Sequence, residues 1–139
     1  MRQESLEALH DHLRRCTTRR TLPKHARCST RWMTCVRGDV HRLRAPRGVR
    51  GSEQRVVRYA VVVQSDDLLL STMLVAPTSR SAQPRISRPT IVIENEQTQV
   101  LIEQTTAVSP ERLDDLVGRV GRSELDQIND ALRLALELD

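Results

Sequence analysis

The apolar positions of the chain recur first at short, strand-like intervals and only later at helical ones. Runs rich in Val, Ile, Leu and Ala are bounded by polar segments that contain Gly, Pro or Asp, a pattern typical of β-strands. We predict strands over 36–43, 58–64, 69–76, 90–93, 99–107 (one or two strands) and 116–120. Pro77 is expected to end the third of these. Long helices do not alternate with the runs, which argues against a doubly wound parallel sheet.

The C-terminal segment follows a helical period instead. A stripe at steps of three and four residues is formed by Leu125, Ile128, Leu132 and Ala135. It predicts an amphipathic helix over about 123–138, and Ser123 with Asp126 resembles a capping box at its start. A short helical turn is predicted after Ser109. The order of elements favours the α+β class, mainly β: a small antiparallel barrel with a C-terminal amphipathic helix.

Composition limits the size of the hydrophobic core and indicates the cellular compartment of the protein. With 139 residues, 38% hydrophobic, the chain can build one modest core, and the absence of Phe makes that core aliphatic. No stretch approaches the roughly 18 apolar residues of a membrane-spanning helix, and no apolar run follows the N-terminal charges as in a secretory signal. We therefore expect a cytoplasmic protein without membrane contact.

Cysteines and histidines give no sign of a metal site. Cys16, Cys28 and Cys35 are irregularly spaced and odd in number, which argues against both a disulfide framework and a zinc site. Three of the four histidines lie before residue 36, and we assign none of the four a catalytic role. No metal and no cofactor are expected.

Charge is unevenly distributed. Residues 1–50 carry 13 Lys+Arg and 4 Asp+Glu, a net charge of +9, whereas 51–100 are neutral and 101–139 carry −5. A basic first third suits RNA or an acidic protein segment, although it also suits a solubilising arm. Beyond a short stripe of leucines, residues 1–35 show no periodicity. We interpret them as a basic extension, disordered or weakly helical, or as sequence translated upstream of the true start, with the folded domain over 36–139.

Several motifs, in a fixed order, resemble the MazF/PemK family of toxins. They are Arg37-Gly38-Asp39-Val40 at the start of a strand, Arg50-Gly51-Ser52-Glu53-Gln54 in a turn, Arg58 before Tyr59-Ala60-Val61-Val62-Val63, and Val75-Ala76-Pro77-Thr78-Ser79 at a strand end. Further matches are Ile102–Ala107, Arg112-Leu113, Gly118-Arg119-Val120 and the final helix. The resemblance covers about residues 36–138.

Three positions depart from the family pattern. Tyr59 stands where a Pro usually follows the catalytic Arg, His41 or Arg42 replaces an aromatic residue of the first strand, and Glu103 replaces an Asp. The first change affects the rigidity of the segment after Arg58, and the second affects the floor of an RNA groove. Neither removes a proposed catalytic group.

The resemblance implies a small SH3-like barrel that cuts RNA without a metal, using the 2′-OH of the RNA as nucleophile. It implies that Arg58 stabilises the charge of the transition state and that Thr78 adds a hydroxyl donor. An arginine side chain stays protonated at neutral pH and is therefore a poor general base, so Glu53 is the more plausible proton acceptor. The candidate RNA-binding residues are Gln54, Arg55, Ser79, Arg80 and Arg85.

The resemblance also implies a homodimer and a cognate MazE-like antitoxin whose acidic tail covers the basic groove. Two other functions stay open at this stage. One is a non-enzymatic toxin of the same fold that grips gyrase, although the ending Glu137-Leu138-Asp139 lacks the aromatic residue that such a grip suggests. The other is an RNA-binding module whose catalysis has been weakened by Tyr59 and by the altered first strand.

Overall fold

A computed structural model describes residues 35–45 and 58–138 of the chain. Within these ranges lie seven strands, two 3₁₀ turns and one α-helix. The strands are β1 (Asp39–Leu43), β2 (Arg58–Val62), β3 (Met73–Ser79), β4 (Thr90–Ile93), β5 (Glu96–Val100), β6 (Thr106–Val108) and β7 (Leu113–Arg119). The 3₁₀ turns span Ile102–Gln104 and Pro110–Arg112, and the helix α1 spans Arg122–Leu136. The predictions for 1–34 and 46–57 lie outside the described residues.

The strands pair antiparallel in the order β4-β5-β3-β2-β1-β7, and β6 also pairs with β3. β3 divides one edge between two partners. Met73–Val75 pair with β6, whereas Thr78 and Ser79 pair with β5. Because the first half of β3 pairs with β6 and the second half with β5, the sheet bends along β3 and curls into a half-barrel. This agrees with the predicted barrel.

Alternation along β2 builds a core on each face of the sheet. Tyr59, Val61 and Val63 belong to a first core, which includes Ile128 of α1. The residues between them belong to a second core with Met73, Val75, Val108 and Leu113. Each fully buried aliphatic side chain contributes roughly 1.5–3 kcal/mol by its removal from water. α1 therefore closes the first core, and its amphipathic character is confirmed.

The Arg37-Gly38-Asp39 motif joins β1 to the helix and to its neighbouring strands. The Arg37 guanidinium donates to the carbonyl of Val63 and, at 2.6 Å, to Asn129 Oδ1 on α1. The Asp39 carboxylate accepts from Arg119 Nε at 2.9 Å. Gly38 has a φ of +90°, and its N–H and carbonyl bond to β2 and to Val120 at the end of β7. These residues therefore hold the fold together.

The third strand differs from its prediction at both ends. It begins at Met73 and continues through Pro77 to Ser79. Leu68, Leu69 and Leu70 precede it as an exposed part of the loop. The Gln64 side chain closes this loop by bonding Leu68 and Leu74. Pro77 fits inside the strand because its carbonyl is the group that pairs, accepting from Leu101 N at 2.8 Å.

Other boundaries also differ from the predictions: β1 begins at Asp39 and not at 36, and β7 begins at Leu113 and not at 116. The predicted strand region 99–107 contains the end of β5, a 3₁₀ turn and β6. The helix begins at Arg122, and its cap pair is Gly121 with Glu124, whose carboxylate accepts from Gly121 N at 2.7 Å. The predicted pair of Ser123 and Asp126 is therefore wrong. Glu124 also accepts from Val92 N, which ties the start of α1 to β4. No helix in the described part of the chain is long and apolar enough to cross a membrane.

We expect Gly38→Ala to lower the free energy of unfolding by about 1–3 kcal/mol, measured by urea denaturation. A side chain there is strained by the positive φ, and its Cβ would lie 3.2 Å from Val120 Cγ2. Gly118→Ala is the matched control, because a Cβ at Gly118 meets nothing within 4 Å. Equal denaturation midpoints for the two variants would contradict the structural role of Gly38.

Candidate active site

Arg58 and Thr78 lie at the same end of two neighbouring strands. β2 begins at Arg58 and the antiparallel β3 ends at Ser79, with Ala60 paired to Pro77. Continuing that register places Tyr59 beside Thr78 and Arg58 beside Ser79. We call this end of β2 and β3 the β2–β3 edge. It brings together three residues that were predicted for the site from separate motifs.

Thr78 is held firmly at this edge. Its side chain is only 8% exposed, and its Oγ1 donates to the carbonyl oxygen of Tyr59 at 3.2 Å. The hydroxyl therefore fixes the peptide unit that directly follows Arg58. To donate to a phosphate oxygen instead, the hydroxyl would have to rotate away from Tyr59.

Arg58 is exposed at the first position of β2. Alternation of side chains directs it to the face of the sheet opposite that of Tyr59 and of Thr78, which lies beside Tyr59. The two proposed catalytic side chains can therefore reach one phosphate only around the open end of β2 and β3. Its partner in β1 is Leu43. A permanently charged guanidinium at an exposed strand end can bind a phosphate without first being taken out of a buried ion pair.

The other predicted RNA-binding residues are divided between two places. Ser79 Oγ lies 3.3 Å from Ser81 Oγ, and Arg80 forms an ion pair of 2.6 Å with Glu96, so both remain near the β2–β3 edge. Arg85 lines a groove of about 710 Å³ between the loop before β4 and α1. The predictions for Glu53, Gln54 and Arg55 lie outside the described residues.

A hydrogen bond that sequence reasoning missed connects Tyr59 to the β4–β5 turn. The Tyr59 hydroxyl donates to Glu94 Oε2 at 2.6 Å, and Glu94 is 35 positions away in the sequence. This bond raises the pKa of Tyr59 above its usual value, burial acts in the same direction, and the nearby Arg42 opposes both. No spacing pattern links these two residues, so only the folded sheet reveals the contact.

His41 and Asp114 are structural neighbours in the sheet. The His41 ring is buried on β1, with Nδ1 3.0 Å from the backbone oxygen of Asp114. The Asp114 carboxylate pairs with Arg44 at 2.9 Å. Asp114 and Asp115 lie in β7. Within residues 35–45 and 58–138, no group of His, Cys, Asp or Glu side chains is arranged to hold a metal ion.

Glu103, the residue at the family's Asp position, anchors the first 3₁₀ turn to the loop before β4. Arg88 Nε donates to its carboxylate at 2.6 Å. Burial alone would raise the pKa of Glu103, but the hydrogen bond from Arg88 and the charges of Arg88 and Arg85 outweigh it. The pKa of Glu103 therefore lies below its usual value.

Comparison with known protein families decides the identity of this fold. Residues 36–136 match the family of PemK-like, MazF-like toxins of type II toxin–antitoxin systems. The chain belongs to this family. The toxin is also 38% identical to a candidate toxin of Mycobacterium tuberculosis over 73 residues, which are 52% of the chain and 69% of that relative.

Solved structures share the fold of the toxin at low sequence identity. The toxin MazF-mt6 of Mycobacterium tuberculosis matches with a TM-score of 0.60 and 15% identity, over 73% of this chain and 98% of that one. A mycobacterial endoribonuclease in complex with its cognate antitoxin gives 0.61 and 17%, over 75% and 96%. MazF from Deinococcus radiodurans gives 0.59 and 17%, over 73% and 96%. The predicted family and fold are confirmed.

The pairing of Glu103 with Arg88 makes the stability of the toxin depend on pH. Because the folded pKa of Glu103 is lowered, its contribution is present above the usual carboxyl pKa and is lost as pH falls through the folded value. We expect Glu103→Gln to lower the melting temperature at pH 7 by roughly a few degrees, since the pair is partly exposed. The difference in melting temperature between this variant and wild type should shrink steadily below about pH 4.

Thermal unfolding of Glu103→Gln and wild type across this pH range tests the prediction. Glu111→Gln, which changes an exposed glutamate in the second 3₁₀ turn, is the control. A difference between Glu103→Gln and wild type that does not vary with pH would contradict the prediction.

Proposed function

We propose that the toxin is a sequence-specific, metal-independent endoribonuclease that cleaves single-stranded RNA, including mRNA, and thereby inhibits translation and growth. The observation that carries this proposal is the position of Arg58 beside Ser79 and next to the Thr78–Tyr59 hydrogen bond. The fold, which is shared with solved endoribonucleases, supports it.

The reaction begins with attack of the RNA 2′-OH on the adjacent phosphorus. The 2′-oxygen forms a bond to phosphorus, the bond from phosphorus to the 5′-oxygen breaks, and the 5′-oxygen takes up a proton from water. The products are a 2′,3′-cyclic phosphate and a 5′-hydroxyl. Arg58 stabilises the negative charge that develops on the phosphate oxygens, and the Thr78 hydroxyl adds a second donor after it rotates. Glu53 takes the proton of the 2′-OH, which Arg58 is too basic to accept.

The remaining charged and polar groups bind the RNA strand. Ser79 and Arg80 lie beside the β2–β3 edge and contact the adjoining phosphates, and Gln54 and Arg55 are further phosphate-binding residues in this proposal. Arg85 binds the strand further away, along the groove beside α1. Within residues 35–45 and 58–138, Tyr59 is the one Phe, Tyr or Trp residue, and it is buried, so bases stack mainly on arginine planes.

The partner that we propose is a MazE-like antitoxin whose acidic tail competes with RNA for these arginines. Two structural neighbours were solved with antitoxins, one mycobacterial and one the MazE–MazF complex of Deinococcus radiodurans. We further propose that the toxin is a homodimer, that it acts in the cytoplasm, where mRNA is found, and that residues 1–35 form a basic extension of a toxin domain over 36–139.

Purified toxin is expected to cut a long RNA in the presence of EDTA and to leave 2′,3′-cyclic phosphate ends, mapped by primer extension. Arg58→Ala should reduce the cleavage rate by at least about 100-fold, because a fixed donor to the transition state is lost. Arg58→Lys should restore only part of the rate, since lysine keeps the charge but lacks the planar fork.

Arg133→Ala is the matched control, because Arg133 is an exposed arginine on α1 that pairs with Asp130. It should cleave at the wild-type rate. Full activity of Arg58→Ala would refute the assignment of the site. Intact RNA together with trapped, DNA-linked gyrase would refute the proposed activity, as would RNA binding without cleavage.

A further inference from the structure

Tyr59 connects the two proposed catalytic residues through its backbone. Its amide group follows Arg58 directly, and its carbonyl oxygen accepts the hydrogen bond of Thr78 Oγ1 at 3.2 Å. The orientation of this short stretch of backbone therefore determines both where Arg58 leaves the strand and where the Thr78 hydroxyl points. Any contact that restrains Tyr59 therefore also restrains the β2–β3 edge.

The side chain of Tyr59 is fixed by packing and by one hydrogen bond. The ring is 6% exposed and lies in the first core with Ile91, Ile93 and Val100. Its hydroxyl donates to Glu94 Oε2 at 2.6 Å, a short distance consistent with a charge-assisted bond. A buried phenol without a hydrogen-bond partner is destabilised by the loss of its hydration. Positions of the ring that lack the bond to Glu94 are therefore unfavourable, and the contact holds the ring in one position.

Glu94 occupies a backbone position that disfavours it. Glu94 and Asn95 form the turn between β4 and β5, with φ values of 51° and 66°. Two consecutive positive φ angles are typical of a type I′ hairpin turn, in which Asn or Gly is preferred at the first position. A glutamate is unfavourable in this backbone conformation. The hydrogen bond between its carboxylate and the Tyr59 hydroxyl offsets that cost. The same hairpin is tied to the end of β3 by the pair of Arg80 and Glu96.

We propose that Tyr59 and Glu94 are a positioning pair, which holds the β2–β3 edge in the geometry that RNA cleavage requires. This inference rests on the proposed endoribonuclease activity. Neither residue touches the reacting atoms in this scheme: Tyr59 lies in the core, and Glu94 acts through it. The pair performs the task of the proline that usually follows the family's catalytic arginine, replacing a rigid ring in the backbone with a bond between side chains.

The positioning role predicts a specific kinetic signature. Loss of the Tyr59–Glu94 bond leaves the charges of Arg58 and Arg80 near the edge, so binding of the RNA strand is retained. The alignment of Arg58 and Thr78 with the phosphate is lost, and a misplacement of about 1 Å can cost about 100-fold in rate. The effect should therefore appear in kcat and leave KM almost unchanged.

The test measures kcat and KM for cleavage of a short single-stranded RNA by the full chain. Tyr59→Phe and Glu94→Ala should each lower kcat by roughly 10-fold, with KM within about twofold of wild type. The double variant should be no slower than either single variant, because both remove the same bond. Glu94→Gln keeps an oxygen acceptor and should restore most of the wild-type kcat.

Glu94→Asn separates positioning from stability. Asparagine suits the positive φ at this position, which offsets the stability lost with the hydrogen bond to Tyr59, so the variant should melt within a few degrees of wild type. Its side chain is one methylene shorter and loses the contact with Tyr59, so kcat should still fall by roughly 10-fold. A merely structural role of Glu94 predicts instead an unchanged kcat in a folded protein of similar stability.

Gln64→Met is the matched control at the other end of the β2 segment. The buried Gln64 side chain also ties a neighbouring loop, donating to Leu68 O at 2.8 Å and accepting from Leu74 N at 3.1 Å. Its loss should lower the melting temperature and leave kcat unchanged at a temperature where the protein is folded.

The outcomes separate this inference from the proposed function. If wild type cuts RNA and Arg58→Ala does not, while Tyr59→Phe and Glu94→Asn retain the wild-type kcat, the positioning pair is wrong and the proposed function stands. A fall in kcat for Gln64→Met equal to that for Tyr59→Phe also overturns the pair. If wild type does not cut RNA at all, the proposed function itself fails.

Discussion

The pairing of β3 with β2, β5 and β6 is the constraint on which the rest of the toxin depends. β2 binds one edge of β3, and β6 and β5 divide the other edge between Met73–Val75 and Thr78–Ser79. This division bends the sheet, gives each of its faces a separate core and leaves one open side for α1 to cover. It also places Thr78 between β2 and β5, where the side chain is buried and its hydroxyl reaches the backbone of β2. The pairing that curls the sheet therefore also brings the residues of the candidate active site together.

Much of this fold could be predicted from the sequence, because its elements are encoded locally. The valine run after Arg58, the strand Thr90–Ile93 and the apolar stripe of α1 appear close to where the pattern indicates. The third strand was misplaced because apolar character alone does not separate an exposed loop from a strand. Leu68–Leu70 are as apolar as the strand that follows, and the start of pairing is fixed by hydrogen bonds of Gln64 and Val63 to Leu74 and by the partner strand β6. The helix cap was missed because a glycine has no side chain to signal a cap, although its N–H still binds Glu124.

The candidate site was predictable only in part, for a related reason. Family motifs point to Arg58, Thr78 and Ser79, and the register of β2 and β3 places those positions side by side. The roles of these residues, and those of Glu53, Gln54 and Arg55, stay predictions. Glu94 carries no local signal, since a glutamate in a turn is usually a solvated surface residue. Its contact with Tyr59 depends on how far the β4–β5 hairpin folds over the first core, which is a property of the whole sheet.

The exposed leucines of the loop between β2 and β3 give the molecule two unlike ends. Leu68, Leu69 and Leu70 are 50%, 64% and 49% exposed, and they lie where β2 ends and β3 begins. Arg58, Ser79 and Arg80 lie at the opposite end of the same two strands. The toxin is thus amphiphilic along its strand axis. On an apolar surface, such as a bead or an air–water interface, it should attach by the leucines and turn the end that carries Arg58 towards the solution. Adsorption would then orient the protein and leave the arginines accessible to a polyanion.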